Sequence, residues 1–181
     1  MEENQTQATI LKLVQDAQKG NGQAFGQIYR MLLPKIYRFV WYEVRDKPTA
    51  EDLTQVTFLR LWKALHSYNK EKGSFQSFAY AIAKHLIIDW QRKKRPVSLE
   101  VIGELEKTDE TIDSMIRQDT VDRVRRALAA LSSEDRQLVV LRHFEDLSYG
   151  QIAAIEGKQE GAVRVKLHRI LRQLKNILKQ A

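Results

Sequence analysis

Apolar residues recur at three- and four-residue intervals through most of this chain, and only 8 Gly and 3 Pro interrupt 181 residues. That period places one stripe of side chains along a helix, whereas a half-buried strand would alternate strictly. The chain therefore reads as all-α. The spacing predicts helices over Gln7 to Lys19, Gly22 to Leu32, Pro34 to Val44, Pro48 to Ala64, Ser74 to Lys94, Asp119 to Ala130, Ser133 to His143, Tyr149 to Glu156 and Glu160 to Lys179. Pro34 and Pro48 are read as first-turn residues, where a missing N–H removes no intrahelical bond.

Charge divides the chain further. Residues 1–95 carry 16 basic and 9 acidic groups, residues 96–119 carry 2 and 7, and residues 120–181 carry 12 and 7. Two basic helical domains, 1–95 and 120–181, thus flank a flexible acidic linker, 96–119, which opens with Pro96 and has no sustained apolar face to bury. The linker is either plain solvated chain, or an acidic strand that fills a basic channel in a partner or repels DNA. The net charge of +7 and the pI near 9.6 favour a polyanionic partner. Cysteine is absent, which excludes disulfides, thiolate metal sites and cysteine nucleophiles. No window approaches the roughly 18 uncharged apolar residues of a membrane span, and the acidic start Met1-Glu2-Glu3-Asn4 is unlike a signal peptide. A cytoplasmic protein is expected, without membrane insertion.

The sharpest local motif is C-terminal. Ser148 and Gln151 have capping-box spacing, the helix they open stops at Gly157, and a second helix follows with Val163, Leu167, Ile170, Leu171 and Leu174 inward. Arg164, Val165, His168, Arg169 and Arg172 are left facing out. This is a helix-turn-helix, the last part of the all-α layout, with a basic second helix fit for the major groove. A plain helical hairpin with a solvated face is the alternative.

Two further surfaces lie in the N-terminal half. From Ala50 to Trp62, a helical wheel groups Phe58, Leu61, Trp62 and Leu65 on one arc, with Val56 and Leu59 nearly opposite. Either the helix is central in its domain, or one arc docks on another protein with Asp52, Gln55 and Arg60 beside it. Farther on, Phe75, Phe78, Ile82, Leu86 and Asp89 share one face, and Lys84, His85, Ile88, Arg92 and Arg95 the other. Arg92-Lys93-Lys94-Arg95 either complement the helix dipole or attract phosphate. His66, His85, His143 and His168 form no ligand cluster. The sequence lacks HExxH, P-loop, GxGxxG and paired-carboxylate patterns, so neither a catalytic residue nor a metal or other cofactor is expected.

The string from Ala50 to Trp62, the Phe75-to-Arg95 segment with Ile82-Ala83-Lys84 and Asp89, and the Leu131-to-Leu178 helix-turn-helix occur in that order. Together they resemble the extracytoplasmic-function (ECF) group of bacterial sigma-70-type RNA polymerase sigma factors, over about Ala24 to Leu178. The resemblance implies that Asp52, Gln55, Phe58, Leu59 and Trp62 dock on the polymerase clamp helices. It implies that the loop from His66 to Gly73 and the helix after it capture the −10 element, an unstacked base entering beside Tyr68, Asn69 and Lys70, with Lys84, His85, Arg92 and Arg95 also at the DNA. For the −35 element it implies Arg164, Val165, His168 and Arg169 near base edges, and Lys166 and Arg172 toward phosphates. The implied partners are bacterial core RNA polymerase, promoter DNA and an anti-sigma factor, with the free protein monomeric. Without the resemblance, a dimeric, sequence-specific regulator that binds palindromic duplex sites independently of polymerase would also fit the helix-turn-helix, as would an adaptor whose two helical domains bind proteins only.

Overall fold

A computed structural model describes residues 2–94 and 122–180, all of whose regular structure is helical. Helix α1 spans Glu2–Gln18, α2 Gly22–Val44, α3 Lys47–Lys63 and α4 Phe75–Lys94. Two 3-10 turns, Leu65–Ser67 and Lys70–Lys72, connect α3 to α4. Residues 122–129 form α5, followed by α6 (Ser133–His143), α7 (Tyr149–Glu156) and α8 (Glu160–Gln180).

Caps fix most of these boundaries. Asn21 accepts from Gln23 and Ala24 N–H at the start of α2, Asp46 from Thr49 N–H at the start of α3, and Ser132 from Asp135 N–H at the start of α6. Each side-chain oxygen satisfies an N–H that the first helical turn leaves without a partner. Ser148 and Gln151 form the full reciprocal box ahead of α7, and Gly157 ends it at φ 63, where a glycine needs no Cβ relief.

One boundary is corrected. The two helices expected over Gly22 to Leu32 and Pro34 to Val44 are a single 23-residue helix with Pro34 inside it. Proline removes one hydrogen bond and crowds the preceding turn. Against that cost, Ile28, Leu32, Ile36, Phe39 and Val40 are all buried on one continuous stripe, at about 1.5–3 kcal/mol per large side chain. Interrupting the helix at Pro34 would break that stripe at its centre. Pro48 lies in the first turn of α3, as expected. Helix α1 begins at Glu2, five residues before the start that the periodicity suggested.

Helices α1 to α4 enclose one side of the core and α6 to α8 the other, but the apolar cluster is continuous from Ile10 through Ile87 to Leu174. Helix α2 packs on α6 and α4 on α7. Carboxylates stitch this junction. Glu145 accepts from Arg38 Nε at 2.6 Å and from the Tyr80 hydroxyl at 2.9 Å. Glu43 accepts from Arg136 Nε at 2.9 Å and from Ser133 Oγ at 2.6 Å. Both carboxylates are wholly withdrawn from solvent, which is tolerable only because each is paired and hydrogen-bonded. The hydrogen bond to Glu145 holds the Arg38 guanidinium above its ordinary value, while burial, then the neighbouring Glu145 charge, pushes the Tyr80 phenol far up. Tyr80 therefore stays a donor.

Candidate nucleic-acid interface

The face of α8 follows from its core stripe. Val163, Leu167, Ile170 and Leu174 are buried at intervals of four, three and four residues. Leu171, expected inward with them, is 40% exposed, since it lies about 70° from the centre of that stripe at roughly 100° per residue. Arg164, Val165, His168, Arg169 and Arg172 all face solvent. Arg164 is held rather than loose: Glu160 receives it at 2.9 Å, and its guanidinium lies 5.1 Å from the centre of the Tyr149 ring, which Arg142 approaches at 5.0 Å. Val165, Lys166 and Arg169 line a groove of about 620 Å³ that Asp135 closes at the start of α6.

Lys166 differs from its neighbours. Its ammonium is 3.0 Å from Asp135 and 3.3 Å from Glu134. Burial lowers its pKa, but hydrogen bonds to these two carboxylates outweigh that and hold it above the ordinary value. A phosphate reaching Lys166 must compete with both.

On α3 the arcs separate with one exchange, since Trp62, grouped with Phe58, Leu61 and Leu65 by the helical wheel, is exposed. Phe58, Leu61 and Leu65 are buried, whereas Val56, Leu59 and Trp62 are exposed alongside Asp52 and Gln55. Leu59 has the most open side of the three at 53%. Phe58, expected at the docking surface, is instead a core residue packed edge-on against Tyr29 at 4.6 Å. Trp62 takes its place on the outer arc, one edge resting on Phe25. The buried Thr54 and Thr57 hydroxyls return to the carbonyls one turn back, which lets the inner arc include them without stranded donors.

The loop between α3 and α4 is held by its own side chains. Tyr68, which the resemblance sets beside a captured base, is half-buried: its hydroxyl donates to the Gly73 carbonyl at 3.0 Å and its ring meets Phe75 at 5.0 Å and Phe78 at 5.7 Å. Burial pushes its phenol pKa up. Asn69 is exposed but caps the Lys70–Lys72 turn by accepting from Glu71 N–H. These two side chains shape the loop, and Lys70 and Lys72 are exposed on it together with His66, Asn69 and the carboxylate of Glu71. A pocket of about 440 Å³ lies between this loop and α1, with Gln7, Ile10 and Leu11 on one wall and Tyr68, Lys70 and Gln76 on the other. The α1 wall was missed in the sequence, where its residues carry only a helical period. Gln18 ties α1 to the loop by donating to the Leu65 carbonyl at 2.9 Å.

On α4, His85 and Ile88 are exposed, and Arg92 is open apart from Asp89 at 3.3 Å. Lys84 shares their side of the helix but is engaged by Glu156 at 2.7 Å. Arg95 and the acidic linker 96–119 lie outside the described residues. Among the described residues, no group of three or more His, Asp or Glu could hold a metal ion.

Known proteins fall on the same two segments. Residues 28–97 match the family described as Sigma-70 region 2, and residues 122–174 match Sigma-70, region 4. The chain is 32% identical over 180 residues to the ECF RNA polymerase sigma factor BldN of Streptomyces coelicolor, covering 94% of this chain and 66% of that relative. It therefore spans just under two thirds of BldN's length. It is 30% identical over 172 residues to the ECF RNA polymerase sigma factor SigD of Mycobacterium tuberculosis, covering 91% and 81%. In fold it is similar to CnrH, solved in complex with the cytosolic domain of CnrY, with a TM-score of 0.74 at 21% identity over 95% of this chain and 98% of that one. By these matches, and by the order of its motifs, the chain belongs to the ECF group of sigma-70-type RNA polymerase sigma factors.

Proposed function

We propose that this protein is a promoter-specificity subunit of bacterial RNA polymerase. It docks on core polymerase through the outer arc of α3, captures the −10 element with residues 66–95, and reads the −35 element with α8. In this reading residues 1–95 form the docking and −10 module, 96–119 an acidic linker and 120–181 the −35 module. Polymerase supplies the chemistry and the chain performs none. Its setting is the cytoplasm, where the polymerase works; no described helix is long and apolar enough to cross a membrane. An anti-sigma factor is the repressing partner that the family implies.

The observation that carries the reading is the coexistence on one chain of an apolar arc on α3, with Val56, Leu59 and Trp62 exposed, and an α8 whose Arg164, His168, Arg169 and Arg172 face solvent. A contiguous exposed apolar face marks a protein contact, and an exposed basic recognition helix marks a groove contact. A duplex-only regulator has no use for the first. The experiment is capture by purified bacterial core polymerase. Wild-type protein is expected to form a stable stoichiometric complex, and Leu59→Asp to lose it while keeping its helical signal. Equal capture of both proteins would remove α3 as the docking surface, and no capture of either would remove the sigma-factor reading.

A further inference from the structure

Helix α8 carries a valine at the centre of its outward arc. At roughly 100° per residue, Val165 points about 170° away from the centre of the buried stripe of Val163, Leu167, Ile170 and Leu174. Arg164 and Lys166 then mark the two edges of that arc. Each is drawn away from Val165 by partners of its own: Arg164 by Glu160 at 2.9 Å and by the Tyr149 ring on α7, Lys166 by Asp135 at 3.0 Å on α6. Between them Val165 stands 53% exposed, in the second turn of the helix.

A helix laid in the major groove brings the centre of its outward arc to the base edges and its flanks toward the phosphates. The side chain of α8 with the deepest reach is therefore one without a hydrogen-bonding group. One turn earlier, Gly161 and Ala162 are both exposed on the same arc. A Cβ at Gly161 would meet nothing within 4 Å, so packing inside the protein does not require glycine there. Glycine and β-branched valine each weaken an exposed helix position, and no internal contact offsets that cost. What they share is a small, apolar surface where the helix comes closest to DNA.

Such a surface complements one group in the major groove. Adenine, guanine and cytosine are distinguished there by donors and acceptors, whereas thymine adds a 5-methyl group. A donor or acceptor pressed against Val165 would lose its water without gaining a partner. A methyl in the same place removes apolar area from water on both sides. We propose that Val165, in the room left by Gly161 and Ala162, takes the 5-methyl group of a thymine in the −35 element, which makes that base part of the sequence this protein reads. The inference rests on the sigma-factor reading, in which α8 lies in the major groove.

The test uses holoenzyme assembled from the full chain and core polymerase, on a promoter duplex that it transcribes. Each thymine of the −35 element, on either strand, is replaced in turn by uracil, which deletes the methyl and keeps every hydrogen-bonding group. One replacement is expected to weaken promoter binding by wild-type holoenzyme about three- to fivefold, the effect of one buried methyl. With Val165→Ala the same replacement is expected to change binding by less than about 1.5-fold. The ratio is taken within each protein, so a general loss of affinity in the variant cancels. The proposal is overturned if no replacement weakens wild-type binding by about twofold or more, or if a penalty of that size persists in Val165→Ala. A −35 element without thymine on either strand overturns it as well. Absence of any protein-dependent transcript removes the sigma-factor reading, and this inference with it, so the two failures are distinguishable.

Discussion

Arg136 enters the junction between the two halves with only 13% of its side chain exposed and meets a carboxylate, Glu43, that water does not reach. Removing one member of such a pair strands the other, which costs more than the pair itself contributes. Arg136→Ala is therefore predicted to lower unfolding stability by about 3 kcal/mol in urea, whereas Arg164→Ala, which breaks an exposed pair with Glu160, should shift it by less than about 0.5 kcal/mol. Comparable losses in both would mean that burial does not govern these pairs. For recognition, Arg169→Ala is predicted to weaken binding to a cognate −35 duplex by about 1–3 kcal/mol and to relax preference at one base position. Equal loss on every sequence would make Arg169 a phosphate contact instead. The basic outward residues of α8 were legible in the sequence because a single period places them, although Leu171, at the edge of the inner stripe, was read inward and is exposed. Phe58 and Tyr68 were not: an aromatic ring at a family docking or loop position reads the same whether it faces outward or into a core, and only Tyr29, Phe75 and Phe78 decide it.

Among the elements, α6 and α7 have the bounds that their sequences suggested, because Ser132 and the Ser148–Gln151 box mark the starts and Gly157 a stop. Helix α2 shows the limit of such signals. Pro34 is a strong local breaker, yet the buried stripe from Ile28 to Val40 overrides it, and that stripe becomes apparent only once α1, α3, α4 and α6 pack around it. Pro34→Ala restores an N–H to the interior of the helix. After allowing for the looser unfolded chain, it is predicted to raise stability by about 1–2 kcal/mol, as a higher urea midpoint at unchanged slope. An unchanged midpoint would mean that α2 absorbs the proline without strain. On α3 the sequence left two arcs open, and packing separates them into a core arc and an outer arc of Val56, Leu59 and Trp62. The predicted Leu59→Asp defect in polymerase capture is a property of that outer arc.

At the scale of the whole molecule, the sequence displayed two basic segments and an acidic one, but not that the segments close on each other. Glu43, Glu145 and Glu156 gave no signal, since a carboxylate on an amphipathic helix usually belongs to a solvated face, and only their cations from the opposite half show otherwise. The proposed sigma-factor role assigns the polymerase contact to α3 and the promoter contacts to the loop, α4 and α8. The most direct test of that account is run-off transcription by purified bacterial core polymerase on a pool of genomic promoter fragments, with and without this protein. Transcripts that require the protein and start at defined positions, with shared sequence elements about 10 and 35 base pairs upstream, are the predicted result. Absence of any protein-dependent start, alongside tight polymerase-independent binding to duplex DNA, would contradict it.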